Sequence, residues 1–129
     1  RRSGASAAVV AGLVYVVGGS RPAAAEANGG GAEVEEEVCL SSGERFDPQR
    51  GVWEAIEPMS VPRDGASAAR IGAHLYVCGG RASERLVLSS SERFDPERGT
   101  WEGWGVLPLM RVPRVCLAVA AAGGALFAV

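Results

Sequence analysis

Short apolar runs separated by glycine and proline set the pattern of this chain, most clearly at residues 13–17 and 75–78. Both runs are continuous rather than alternating, which is typical of a β-strand that is covered on both faces. Each run is preceded by a stretch of small residues, at 4–8 or 65–69, and is followed by a pair of glycines that can turn the chain through positive φ. The pattern predicts strands joined by tight turns.

The strand pattern repeats along the chain with two different offsets. The sequence Arg-x-Gly-Ala-Ser-Ala-Ala at 2–8 returns 61 residues later at 63–69, and the first double glycine returns at the same offset. The sequence Glu-Arg-Phe-Asp-Pro at 44–48, followed by Trp53, returns only 48 residues later. The difference of 13 residues between the two offsets indicates an insertion, which we place at 20–40.

A third copy of the pattern begins near Arg114 and reaches its second strand at the last residues of the sequence. We predict three repeat units: 1–61 with the insertion, 62–111, and 112–129, which holds the first two strands of a unit. In each full unit the third strand ends at an Asp-Pro-x-Arg-Gly turn, and the fourth carries a tryptophan. Each full unit should form one four-stranded antiparallel sheet, which makes the fold class all-β.

The repeat resembles that of the kelch family, whose period is about 50 residues. The resemblance is carried by the double glycine after an apolar strand with an aromatic residue, then Phe-Asp-Pro, then tryptophan, twice in that order. It implies that the units are blades of a kelch-type β-propeller. Because propellers typically close with about four to eight blades, we expect an incomplete ring that is marginally stable or prone to aggregate by itself.

The Ser-Ser-x-Glu-Arg-Phe-Asp-Pro sequences at 41–48 and 89–96 are particularly similar to those of kelch-like proteins, which combine BTB and BACK domains with a propeller. This resemblance implies a protein–protein interaction module that captures the substrate of a cullin-RING ubiquitin ligase. Ligase attachment would depend on domains outside this chain. Two alternatives stay open: a cytoskeletal, actin-associated kelch scaffold and, more remotely, a fragment of a kelch-type copper oxidase.

Composition narrows the possible functions. The 18 glycines and 7 prolines among 129 residues are too many for a helical bundle. A net charge of -2 argues against a nucleic-acid partner, and all 13 basic residues are arginines, which excludes lysine chemistry. The apolar stretch at 115–129 is shorter than the roughly 20 residues that cross a bilayer, and residues 1–4 do not open a signal segment, so we expect no membrane partner.

Candidates for catalysis and metal binding are few. Three widely spaced cysteines and one histidine do not supply a zinc or copper ligand set, so we expect no metal, no cofactor and no enzymatic activity. The double glycines lack the helix and the Gly-Lys-Ser/Thr sequence of a phosphate-binding loop. His74 has no catalytic partner at motif spacing.

The cysteines are predicted to be free thiols, which favours a reducing cytoplasmic location. Cys78 and Cys116 are expected to be buried. Cys39 follows an acidic run, so a redox role stays open, although neighbouring carboxylates should raise the pKa of its thiol and slow its reactions. The run itself, Glu33, Glu35, Glu36 and Glu37, is either a solvated charge cluster or a partner-facing loop, within an insertion whose low complexity predicts mobility.

Four arginines are the candidate partner-binding residues. In kelch propellers that capture peptides, the loops between second and third strands and the crossings between blades lie on one face. The resemblance places Arg2, Arg63 and Arg114 where each unit enters its first strand, and Arg81 directly after the second double glycine. Guanidinium groups bind carboxylates bidentately, so the predicted partner carries an acidic peptide motif. The alternative is structural: the Pro-Arg pair belongs to the repeat, and the arginine stems pack along the blade.

Overall fold

The computed structural model describes residues 1–23, 37–103 and 105–129, and strands account for the regular structure in these ranges. In chain order the strands are β1 (Ser6–Val10), β2 (Leu13–Val17), β3 (Ser20–Pro22), β4 (Glu37–Cys39), β5 (Gly43–Asp47), β6 (Val52–Ile56), β7 (Ser67–Ile71), β8 (His74–Cys78), β9 (Arg81–Ser83), β10 (Leu86–Val87), β11 (Ser91–Asp95), β12 (Thr100–Glu102), β13 (Val119–Ala122) and β14 (Ala125–Ala128). The all-β prediction is confirmed. The described residues form no helix long and apolar enough to span a bilayer.

Two four-stranded antiparallel sheets make up most of the fold. In the first sheet β1, β2, β5 and β6 are neighbours in that order, and in the second sheet β7, β8, β11 and β12 are. A pair of short antiparallel strands, β3–β4 or β9–β10, lies in the chain between the second and third strands of each sheet. Strands β13 and β14 pair after the second sheet. The predicted four-stranded sheets are therefore present, while the exact boundaries of the repeat units stay a prediction.

The β3–β4 hairpin gives regular structure to the two ends of the predicted insertion. Ser20 pairs with Cys39, and the amide of Leu40 donates to the carbonyl of Gly19 at 2.8 Å. The amide of Leu88 donates to the carbonyl of Gly80 at the same distance, so each full repeat unit has a hairpin at this position. Mobility is predicted for the whole insertion at 20–40, of which residues 24–36, with Glu33, Glu35 and Glu36, lie outside the described residues.

The hydrophobic core lies between the two sheets. Its buried members are Val10, Tyr15, Val17, Met59, Leu75, Val77 and Phe94. The ring of Tyr15 in the first sheet packs on Phe94 in the second, with centroids 5.9 Å apart. Phe94 also packs on Trp101 at 5.0 Å, and the indole Nε1 of Trp101 donates to the carbonyl of Glu57 at 2.7 Å. The hydrogen bond of Trp101 therefore joins the second sheet to the segment that follows β6 of the first sheet.

Equivalent aromatic residues differ in burial between the two sheets. Phe46 and Trp53 pack on each other at 5.0 Å, like Phe94 and Trp101, but Trp53 is exposed and Phe46 is only half-buried. Tyr76, the counterpart of Tyr15, lines an apolar cavity of about 180 Å³ with residues of β14. The same repeat motif is thus covered or exposed according to which sheet packs beside it.

The turns between third and fourth strands follow the predicted mechanism. The Asp47 carboxylate accepts hydrogen bonds from the amides of Gln49 at 2.9 Å and Arg50 at 3.2 Å, and Gly51 takes a φ of 66°. Asp95 accepts the equivalent bonds from the amides of the two residues after Pro96 at the same two distances. Backbone bonds from Arg98 and Glu97 hold the pKa of Asp95 below its ordinary value.

The double glycines are required by close backbone approach between units. A Cβ atom on Gly18 would lie 2.2 Å from the carbonyl oxygen of Arg63, and one on Gly79 would lie 2.6 Å from that of Arg114. Both glycines also have positive φ, 67° and 65°. The amides of the following glycines donate to the same two arginine carbonyls, each at 2.8 Å. The prediction of positive φ and close approach at the strand exits is confirmed.

Candidate partner-binding face

The two hairpins and the crossing between the sheets meet on one surface, which we call the loop face: the β3–β4 hairpin, residues 57–65 and the β9–β10 hairpin. Strands β4 and β9 contact each other there. The backbones of Asp64 and Arg81 exchange hydrogen bonds of 2.9 and 2.8 Å, which join the crossing to the second hairpin. The surface predicted from the resemblance is therefore present in the described residues.

Arg63 belongs to the crossing, but its side chain is buried rather than exposed on the loop face, which corrects its assignment as a partner-facing residue. Its side chain is 0% exposed and its Nε donates to Glu92, itself 2% exposed, at 3.0 Å. Its other donors reach the carbonyls of Gly79 and Ser90 at 2.9 Å and the hydroxyl of Ser90 at 2.9 Å. A buried guanidinium needs such partners because desolvation of an unpaired charge is costly. Arg63 holds the second sheet together and cannot reach a partner.

Arg2 makes the equivalent contacts in the first unit. It donates to the carbonyls of Gly18 and Ser42, each at 3.0 Å, and to the carboxylate of Glu44 at 3.2 Å. Because both arginines repeat the same pattern, the structural alternative accounts for the arginine that precedes the first strand in these two units. The guanidinium of Arg2 is partly exposed but already bound within its own unit.

Arg114 shares the backbone position of Arg63, while its side chain is exposed. Its amide donates to the carbonyl of Leu88 at 3.1 Å, as that of Arg63 donates to the carbonyl of Leu40 at 3.0 Å. The backbones of Arg63 and Arg114 make equivalent hydrogen bonds, and the side chains of Arg2 and Arg63 bond to carbonyls of their own units. The three arginines are not joined around a single pocket. Partner binding by Arg114 stays a prediction.

Arg81 differs from the other three because its side chain lies on the loop face. The guanidinium, one-third exposed, donates from Nε to Asp64 at 2.8 Å and from Nη2 to Glu37 at 3.0 Å. The hydrogen bond to Asp64 and its charge raise the pKa of Arg81 above the ordinary arginine value. Arg81 is thus a permanently charged donor, oriented by the crossing and linked to the hairpin of the preceding unit.

A groove of about 650 Å³ runs between the two hairpins and is open to solvent. One wall is formed by Glu37, Val38 and Cys39, the other by residues 82–85, and Pro62 also lines it. The contribution of Glu84 and Arg85 to the groove, and that of Asp64 to the position of Arg81, were not predicted from the sequence. Arg85 could have been found from the repeat, because it lies three residues before Leu88 as Glu37 lies three residues before Leu40.

Cys39 lies on the groove wall and is half-buried. Burial raises the pKa of its thiol most, the Asp64 charge raises it further, Arg81 lowers it, and Glu37 raises it. The predicted direction is confirmed, but burial and Asp64 contribute more than the adjacent carboxylate. A thiol with a raised pKa holds less of the reactive thiolate at neutral pH.

Alkylation should therefore modify Cys39 more slowly than the exposed Cys116 at about pH 8, where an ordinary thiol is substantially ionised. The rate at Cys39 should rise toward higher pH than is usual for cysteine, because its thiolate forms only there. Iodoacetamide labelling followed by peptide mass spectrometry measures both rates in one sample. Preferential labelling of Cys39 would instead support its redox role.

Among the residues that the structure describes, the other cysteines and His74 do not form a second site. Cys78 is buried, as predicted, and burial raises the pKa of its thiol. The prediction that Cys116 is buried is wrong, because it occupies the crossing position held by Gly4 and Gly65 in the other units, with a φ of 55°. His74 Nε2 lies 3.8 Å from Asp95, which is too long for a hydrogen bond. Within 1–23, 37–103 and 105–129, no three metal-ligating side chains come together.

Comparison with known proteins agrees with this architecture. The Kelch motif family matches residues 1–60 and 62–102. The solved structure of YjhT superposes with a TM-score of 0.73, covering 98% of this chain and 33% of that one at 17% sequence identity. At that identity the likeness shows the fold, a kelch propeller, and the sheets described here do not close a ring.

Two curated proteins are similar over shorter stretches. Human Kelch-like protein 4 is 46% identical over 37 residues, which cover 29% of this chain and 5% of that protein. An F-box/kelch-repeat protein of Arabidopsis thaliana is 40% identical over 76 residues, which cover 59% of this chain and 17% of that protein. The chain thus spans a small part of the length of both relatives.

Proposed function

Because the chain belongs to the kelch-repeat family, whose repeats generally mediate protein–protein interaction, we propose that it binds a peptide or loop of a partner protein along the loop-face groove. The observation that supports this most is Arg81: it is charged, one-third exposed, oriented by Asp64, and bonded to Glu37, a residue that lines the groove. A carboxylate of the partner would pair with its guanidinium. No catalytic step is part of the proposal.

The finer proposal is that this recognition serves a cullin-RING ubiquitin ligase adaptor in the reducing cytoplasm. It is supported by similarity to a Kelch-like protein and to an F-box/kelch-repeat protein. It is also supported by Ser-Ser-x-Glu-Arg-Phe-Asp-Pro sequences and by three free thiols. Attachment to a ligase would require domains beyond these residues.

Replacing Arg81 by glutamine should weaken binding of an acidic peptide by about three- to tenfold, because it removes a charge-assisted contact. The probe is a fluorescein-labelled peptide Glu-Val-Glu-Glu-Glu-Val, and fluorescence anisotropy measures its affinity. The matched control is Arg70→Gln, which removes the same charge from an exposed position at the far end of β7. Thermal unfolding of both variants checks that the fold is kept.

Two results would overturn the acidic-peptide proposal. The first is equal weakening by Arg70→Gln and Arg81→Gln, which would show that net charge alone attracts the probe. The second is absence of binding by a wild-type chain that is shown to be folded. Co-sedimentation of the folded chain with actin filaments in that case would favour the cytoskeletal alternative.

A further inference from the structure

We propose that Glu37 is an internal competitor for Arg81: its carboxylate occupies the edge of the guanidinium that an acidic partner would use, and it must leave before the partner pairs there. This inference rests on the proposed function and adds a regulatory contact to the same groove. The two carboxylates on Arg81 have different roles, one as a fixed support and the other as an exchangeable occupant.

Asp64 is the fixed support. Its side chain is 9% exposed, and it receives the Nε hydrogen of Arg81 at 2.8 Å. The same two residues are also joined through both backbone hydrogen bonds of an antiparallel bridge. To displace the Asp64 side chain, a partner's carboxylate would have to enter a largely buried position, so Asp64 stays in place.

Glu37 is held far less firmly. Its side chain is 45% exposed, and its recorded contact with Arg81 is one hydrogen bond of 3.0 Å to Nη2. It comes from β4 of the preceding unit, 44 residues away in the chain. Exposed ion pairs of this kind contribute little stability and weaken in salt, so an incoming carboxylate can replace Glu37 with little loss.

The repeat itself shows that this ion pair is not needed for the hairpin. Glu37 precedes Leu40 by three residues, and Arg85 stands at the same distance before Leu88, with the opposite charge. Both leucine amides nevertheless donate to a double-glycine carbonyl at 2.8 Å. Ser20, with a neutral side chain, occupies the position of Arg81 in the first unit and makes the equivalent bridge with Ser3. The architecture forms with or without these charges.

The contact therefore acts on binding rather than on folding. With Glu37 in place, part of the charge of Arg81 is neutralised, and a partner gains only the difference between its own carboxylate and that of Glu37. A partner that offers several carboxylates, or a bidentate one, would exchange with Glu37 more readily than a partner with a single weak contact. Competition by Glu37 would therefore favour strongly acidic peptides over weakly acidic ones.

The test is Glu37→Gln, measured with the same Glu-Val-Glu-Glu-Glu-Val probe. The variant should bind about two- to fivefold more tightly than wild type at low salt, which corresponds to loss of an exposed ion pair. The gain should shrink in high salt because screening weakens the wild-type pair. The double variant Glu37→Gln with Arg81→Gln should bind no more tightly than Arg81→Gln alone.

Glu84→Gln is the matched control, because Glu84 is exposed and lines the opposite wall of the groove. Equal gains in affinity from Glu37→Gln and Glu84→Gln would overturn the proposal that Glu37 competes for Arg81. The gain would then come from removing general charge repulsion. No gain from Glu37→Gln, with binding still weakened in Arg81→Gln, would overturn the proposal that Glu37 competes and would leave the proposed function standing. If neither wild type nor Glu37→Gln binds at about 1 mM probe, the proposed function fails and the competitor fails with it.

Discussion

Replacing Arg63 by alanine should destabilise the chain by about 3–5 kcal/mol, because it leaves the carboxylate of Glu92 buried without its cation. The truncation also removes the donors for two carbonyls, those of Gly79 and Ser90. Glu92 in turn accepts the amide of Ser60 at 2.7 Å, so the damage reaches the crossing between the sheets. Urea unfolding followed by circular dichroism measures the loss.

The matched variant Arg2→Ala should cost less, about 1–2 kcal/mol, because it removes the donor to the carbonyls of Gly18 and Ser42 but leaves Glu44 hydrated. If Arg63→Ala does not fold, Glu92→Gln gives the measurement, because glutamine keeps the shape and one acceptor while losing the charge. Equal, small losses for Arg2→Ala and Arg63→Ala would contradict the buried network. A large loss confined to Arg63 would support it and would reverse the expectation, drawn from the family resemblance, that this residue binds a partner.

Replacing Phe94 by alanine should destabilise the chain by about 3–5 kcal/mol, the usual range for truncating a buried aromatic residue. Phe94 is buried and packs on Tyr15 from the first sheet and on Trp101 from its own. The cavity would therefore open between the two sheets and weaken their attachment as well as the second sheet itself. Urea unfolding again reports the free energy.

Phe46→Ala is the control, because it alters the same Phe-Asp-Pro motif in the first unit. Phe46 is half-buried and packs on the exposed Trp53, so the loss should be about 1–2 kcal/mol. Similar losses at Phe46 and Phe94 would mean that the aromatic residue stabilises each sheet locally. A much larger loss at Phe94 would locate its contribution in the packing between sheets.

The strands and turns were predictable because their causes are local. An Asp-Pro-x-Arg-Gly turn carries its own acceptor for the amides after proline and its own left-handed glycine, so it forms in any surroundings that leave the flanking strands paired. The double glycines were also interpreted correctly, since positive φ and close approach exclude a Cβ atom there. The β3–β4 hairpin was missed because the low-complexity residues between its strands hide the pairing of its two short ends.

The burial and the bonding partners of the arginines could not be predicted from the local sequence. Arg63 and Arg81 belong to the same repeat unit, and each lies near a glycine. Arg63 is nevertheless buried, whereas Arg81 is one-third exposed and bonded to Glu37 on the groove wall. The difference arises because carbonyls from 16 and 27 residues away surround Arg63, whereas Arg81 meets a carboxylate from 44 residues away in the preceding unit. Spacing in the sequence does not predict which of these groups bonds to which guanidinium.

By itself the sequence determined the all-β class, the repeat and the turns, because an apolar run, a double glycine and an Asp-Pro-x-Arg-Gly segment act over a few residues. Only the tertiary structure decided which copy of each residue is buried and which carboxylate meets Arg81. Burial and ion pairing depend on the neighbouring sheet, and two identical motifs can lie against different neighbours. Phe46 and Phe94 share a motif, and only Phe94 is enclosed between two sheets.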